Sequence, residues 1–150
     1  MLQKRIPPPL VTLICAGGAY LSNTALPASH GLKLRGIVTV GFVVLGLGLL
    51  LPSLISFVRA RTTVSPLSPE RTTTLVTTGM FRISRNPMYL GMACLLIAFI
   101  FWLGNFFQLL WLIAFCTYLN IFQIKPEEAS LNIKFGSSYQ AYCSRVRRWL

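Results

Sequence analysis

Acidic residues are almost missing from this chain. It has no Asp and three Glu, against 14 Lys and Arg, so a net charge of +11 is spread over 150 residues. Only 11% of residues are charged and 54% are hydrophobic, whereas an ordinary soluble domain has about 25% charged residues. One histidine and four separated cysteines, with no CxxC pair, exclude a zinc site and a disulfide framework. Cys15, Cys94 and Cys116 fall in apolar stretches and read as small hydrophobes. A basic chain can signal nucleic acid, but here the cations avoid the long apolar runs and mark a membrane surface instead. Length allows one domain.

Four runs are apolar enough for helical spans, which need about 17 to 25 residues: Leu10 to Leu26, Gly36 to Val58, Met88 to Gly104 and Phe106 to Ile124. Gly104 and Asn105 alone separate the last two, which predicts a tight antiparallel hairpin over 88–124. The fold expected is an all-α integral membrane protein of four transmembrane helices, followed by a cytoplasmic amphipathic helix. Residues 1–58 hold the first two spans and 59–87 a loop. An even number of spans puts both termini and that loop on one side. Twelve cations lie there, from Lys4 and Arg5 to Arg147 and Arg148, whereas the other side has Lys33 and Arg35, which predicts cytoplasmic termini. Lys4 and Arg5 before an apolar stretch also resemble a signal peptide, but Pro7 to Pro9 interrupts the start, and Lys33 with Arg35 would burden a mature terminus.

The second span contains Gly41, Gly46, Gly48 and Pro52, a pattern for close helix contact and a kink. Gly46-Leu47-Gly48 lacks the third glycine and the flanking strand of a dinucleotide loop.

Chemistry concentrates in two places. In Arg85-Asn86-Pro87-Met88-Tyr89, Asn86 suits an N-cap and Pro87 a first helical position, so a helix amino terminus opens at the membrane surface. Its free N–H groups and positive dipole end can hold a carboxylate, with Arg82 and Arg85 as nearby cations. The same residues also serve as a simple interfacial anchor. After the last span, Lys125-Pro126-Glu127-Glu128 places two of the three acids in a first helical turn, where the dipole favours them. Leu131, Phe135, Tyr139, Tyr142, Val146 and Trp149 then repeat at spacings of four and three, with Gly136 as a break. Such a helix lies on the inner leaflet or closes as a lid over the Asn86 helix start.

The order Arg-Asn-Pro-x-Tyr, apolar hairpin, Glu-Glu-x-x-Leu-x-x-x-Phe-Gly-x-x-Tyr-x-x-Tyr and Val146-Arg147-Arg148-Trp149 resembles the isoprenylcysteine carboxyl methyltransferase and phospholipid methyltransferase superfamily over 72–150. That resemblance implies an S-adenosylmethionine-dependent integral membrane methyltransferase whose pocket is built by the carboxyl-terminal half, in a bacterial inner membrane. It implies cofactor contacts at Thr73, Thr74, Leu75, Val76, Phe81, Asn86, Pro87, Met88, Tyr89 and Glu127, and a lipophilic or small-molecule acceptor drawn from or near membrane lipid. No metal and no nucleic acid are expected. Glu128 is the candidate base for an amine or hydroxyl acceptor. Arg82, Arg85, Gln123 and Lys125 are candidate substrate or anion contacts.

Two positions depart from the family pattern. Asn86 stands where a His is frequent, and Gln123 where members acting on prenylcysteine carboxylates carry Arg, leaving Lys125 or Arg85 to partner a carboxylate. A steroid-reductase-like membrane enzyme binding NADPH and a non-catalytic polybasic module are the alternatives.

Overall fold

The computed structural model describes residues 6–25, 34–59 and 74–150. Within them the chain is all-helical: α1 (Pro8–Ala25), α2 (Arg35–Arg59), a 3₁₀ turn (Gly79–Arg82), α3 (Pro87–Leu103), a second 3₁₀ turn (Phe106–Gln108), α4 (Leu109–Leu119), a π turn (Asn120–Ile124) and α5 (Lys125–Cys143). Among the described residues there is no strand.

α2 and the helical run Phe106–Cys143 are long and apolar enough to cross a membrane. α3 is apolar but shorter. It is apolar all round, which is the pattern of a helix buried on every side. Met92, Ala93, Cys94, Leu96, Ala98, Ile100 and Leu103 are accordingly buried, with α1, α2 and α4 packed around it. The surrounding helices turn apolar side chains outward, among them Leu13, Val40, Val44, Val58, Leu110 and Ile113. An apolar exterior of that extent suits lipid rather than water.

α2 and α3 pack extensively, with their backbones close together. A Cβ on Gly46 would lie 2.9 Å from the Gly91 carbonyl oxygen, and one on Gly91 would lie 2.8 Å from that of Gly46. Gly46 therefore serves the helix contact expected of the second span, whereas Gly41 and Gly48 face open space. Pro52 lies inside α2, which continues to Arg59. α1 belongs to the same core through Val11 and Cys15, and the Trp111 ring fills the space that a side chain on Gly18 would need.

Hairpin formation follows from two residues. Gly104 ends α3 in the left-handed region at φ 78°, which favours glycine, and the Asn105 side chain accepts from the Phe107 N–H at 3.0 Å to start the next turn. Arg35 donates to the Trp102 carbonyl at 2.7 Å, so a cation meets the negative end of α3.

One expectation needs correction. The amphipathic helix does not start afresh at Pro126, because helical backbone runs from α4 through the π turn into α5 as far as Gly136. Pro126 offers no N–H to a carbonyl one turn earlier, and the widened π turn sits where that bond would have formed. The break expected at Gly136 is present, with φ 48° and ψ −122°. Beyond it, Tyr139, Tyr142 and Val146 form a second cluster with Leu75, Leu131 and Phe135, while Trp149 packs on the main core.

Replacing Gly91 by Val should push α2 from α3 and cost about 1–3 kcal/mol, the usual range for overpacking. Gly41→Val, facing open space, should be nearly neutral. Thermal unfolding of the detergent-solubilised variants, followed by circular dichroism, checks the contrast.

Candidate functional site

The amino-terminal end of α3 and the first turn of α5 meet. Tyr89, 9% exposed, donates from its hydroxyl to Glu127 Oε1 at 2.7 Å. Glu128, on the adjoining position, is held by two cations. Arg148 donates from Nη2 to Oε2 at 2.6 Å and from Nε to Oε1 at 3.1 Å, and Arg85 Nη1 lies 3.2 Å from Oε1. Fork-to-carboxylate pairing of this type is among the stronger polar contacts available to a protein. The hydrogen bond to Glu128 holds the Arg148 guanidinium pKa above its ordinary value.

Arg148 also ties down its own segment. Its Nη1 donates to Asn120 Oδ1 in the π turn at 3.2 Å, and its carbonyl accepts from Asn86 Nδ2 at 2.9 Å and from the Ser84 hydroxyl at 3.3 Å. The Arg85 N–H donates to the Arg147 carbonyl at 2.9 Å. The tail after α5 thus returns to the start of α3. Tyr142 reinforces this by donating to the Phe81 carbonyl at 2.7 Å, and Phe81 sits edge-on to Phe57 with ring centroids 5.2 Å apart.

The arrangement combines a helix amino terminus, a phenol and a carboxylate at the end of the bundle where Arg59, Arg82, Lys125 and Arg147 are exposed. A family model described as phospholipid methyltransferase matches residues 34–138, more than half of the chain. The chain belongs to the phospholipid methyltransferase family. An uncharacterized protein of Haemophilus influenzae is 46% identical over 63 residues, which cover 42% of this chain and 100% of that protein. No solved structure matches. The family match starts earlier than the 72–150 resemblance, taking in α2, and stops before the tail that carries Arg148. Membership makes the protein a membrane methyltransferase in general terms.

Within this family member, the expected site residues divide. Asn86, Pro87, Met88, Tyr89 and Glu127 come together at the junction of α3 and α5, with Arg85 beside them. Asn86 occupies the N-cap position, but its side chain makes no cap bond; its Nδ2 donates to the Arg148 carbonyl of the tail. Thr73 lies outside the described residues, while Thr74 is exposed and Leu75 and Val76 are partly buried. The Phe81 ring is buried against Phe57 rather than turned outward. Arg82 and Lys125 are exposed.

Two expectations meet contrary geometry. Glu128, the candidate base, has both oxygens engaged by guanidiniums, and protonating it would break charge-assisted hydrogen bonds. Gln123, the candidate substrate or anion contact, is fully buried and commits its amide nitrogen to the Ile6 carbonyl at 2.7 Å. Ser84, Asn120 and Arg148 went unnoticed as site residues. The available signal was arithmetic: with so few acids, a buried Glu must recruit a cation, but sequence does not say which of 14.

Arg148→Ala should release the tail and leave Glu128 with Arg85. The cost should be about 1–2 kcal/mol, moderated by the partial exposure of Arg148. Hydrogen exchange across 139–150 should rise and Trp149 emission should shift to the red, whereas Arg147→Ala should change neither.

Proposed function

We propose that this family member uses S-adenosylmethionine to methylate a lipid-borne acceptor at the basic end of a four-helix membrane bundle whose termini face the cytoplasm. Four apolar helices, the exposed aliphatic exterior and the gathering of cations at one end support that topology. The observation that carries the functional reading is the Tyr89–Glu127 hydrogen bond, which joins the helix start to the first turn after the last apolar segment.

The residue types suit the cofactor. A helix start leaves the N–H groups of Met88 and Tyr89 without carbonyls one turn earlier in the helix, so they can receive the carboxylate of an amino acid group. Glu127 would receive its amine or ribose hydroxyls, and the Tyr89 ring offers an aromatic face to a positive centre. When bound, S-adenosylmethionine supplies an activated methyl group. The chain's own part is alignment and exclusion of water. Tyr89 fixes one oxygen of Glu127, the doubly held Glu128 fixes the turn bearing both acids, and Tyr139, Tyr142 and Val146 cover the tail side with a dry cluster. Glu128 is therefore assigned a positioning role. The acceptor reaches the junction laterally, from between lipid tails, its head group at the level of the basic surface. The polybasic surface alone would not require the Tyr89–Glu127 pair, which favours the enzymatic reading over a binding module.

Titration calorimetry of the purified protein with S-adenosylhomocysteine should give a micromolar Kd. Glu127→Gln and Asn86→Ala should each weaken it about tenfold, ~1.4 kcal/mol. Equal affinity in wild type and both variants would remove the site assignment. Binding of NADPH in place of the homocysteine compound would move the protein to the reductase reading.

A further inference from the structure

At the Gly104 end of the bundle, the length of α3 away from Tyr89, a cleft opens between the start of α2 and the hairpin. Arg35 heads it, and Ile100, Phe101, Phe106 and Leu109 form its apolar lining. Counted with its open mouth, it takes in about 320 Å³. One wall is braced by aromatic contacts: the Phe101 ring stacks on Phe42 of α2 at 6.1 Å and meets Phe106 edge-on at 6.3 Å. Phe106 and Leu109 remain exposed.

Arg35 is the unusual member. A cation that served only to reach water would extend outward from the apolar surface. This one is half-buried and turns toward the hairpin, so close to Gly104 that a side chain there would strike its guanidinium. Its Nη2 donates to the Trp102 carbonyl at 2.7 Å, which takes one arm of the fork and neutralises no charge. The acids among the described residues, Glu127 and Glu128, lie at the other end of α3. Arg35 also opens α2, where the helix dipole favours an anion over a cation. A negative group at the mouth of the cleft would therefore answer both the guanidinium and the helix end.

The lining shows what that group is attached to. A soluble anion would leave the apolar walls uncovered, whereas a charged head joined to a hydrocarbon chain matches cation and walls together. The aliphatic exterior of the bundle presents the cleft to such molecules.

We propose that this cleft holds one anionic phospholipid as a structural lipid, its phosphate paired with Arg35 and part of an acyl chain lying against Ile100, Phe101 and Leu109. The lipid closes the seam between α2 and the hairpin. It is not the methyl acceptor, and the assignment does not depend on cofactor or reaction.

Full-length protein in phosphatidylcholine vesicles receives a trace of phosphatidylglycerol bearing a diazirine on one acyl chain. After illumination, labelled peptides are mapped by mass spectrometry. Diacylglycerol with the same chains and no phosphate is the comparison. Labelling of residues 100–109 by phosphatidylglycerol should exceed that by diacylglycerol at least about fivefold. Arg35→Gln should lose this excess, and Arg35→Lys, which keeps the charge, should retain it. Leu109→Trp, which fills the cleft and leaves Arg35 in place, should lose it too. Equal labelling by the two lipids in wild type would overturn the inference, whether or not a variant folds. So would an excess that survives Arg35→Gln or Leu109→Trp, or one that disappears in Arg35→Lys.

Discussion

Glu128 is the point on which the carboxyl-terminal half closes. In a chain with three acids, one carboxylate takes a fork from Arg148 and a second cation from Arg85, and so joins the loop before α3, the first turn of α5 and the tail. The loop and the tail are joined further by the carbonyls of Arg147 and Arg148 and by the Tyr142 hydroxyl on Phe81. The tail has no helix of its own after Cys143, and among the described residues ahead of α3 there is a single 3₁₀ turn. A charge cluster of two acids and two guanidiniums is locally neutral, although the molecule as a whole carries +11. Burying it partly is tolerable because every member has a counterpart.

The adjoining Glu127 benefits from that arrangement. Two adjacent carboxylates compete for cations and repel each other. Committing Arg85 and Arg148 to Glu128 lets Glu127 turn to Tyr89 on another helix. Close packing of α2 on α3 at Gly46 and Gly91 supplies the rigid backing, so the position of Tyr89 is set by the bundle rather than by the loop.

Much of the fold was legible because its punctuation is chemical. Pro87 starts α3 and Gly104 ends it at a positive φ, as the apolar run and its breaks predict. The Gly136 break and the apolar stripe of α5 were also readable, since both depend on local conformation and period. Continuity through Pro126 was not, because a π turn is a response to a missing N–H that ordinary helical periodicity does not encode. For the candidate site, proximity of Asn86, Tyr89 and Glu127 followed from motif order, whereas the occupations of Asn86, Glu128 and Gln123 did not. Asn86 serves a tail carbonyl, Glu128 serves two arginines, and Gln123 serves the segment before α1. All three depend on partners distant in sequence, and long-range pairing leaves no trace in a single chain.

The length of α3 has a geometric corollary. Its 17 residues extend about 26 Å at 1.5 Å per residue, less than the ~30 Å of a typical hydrocarbon layer. α2, packed against it, has 25 residues and extends about 37 Å, so the reach of the bundle is set by a neighbour and α3 can end inside it. A short central helix beside a longer neighbour leaves Tyr89 recessed, 9% exposed, instead of standing at the rim.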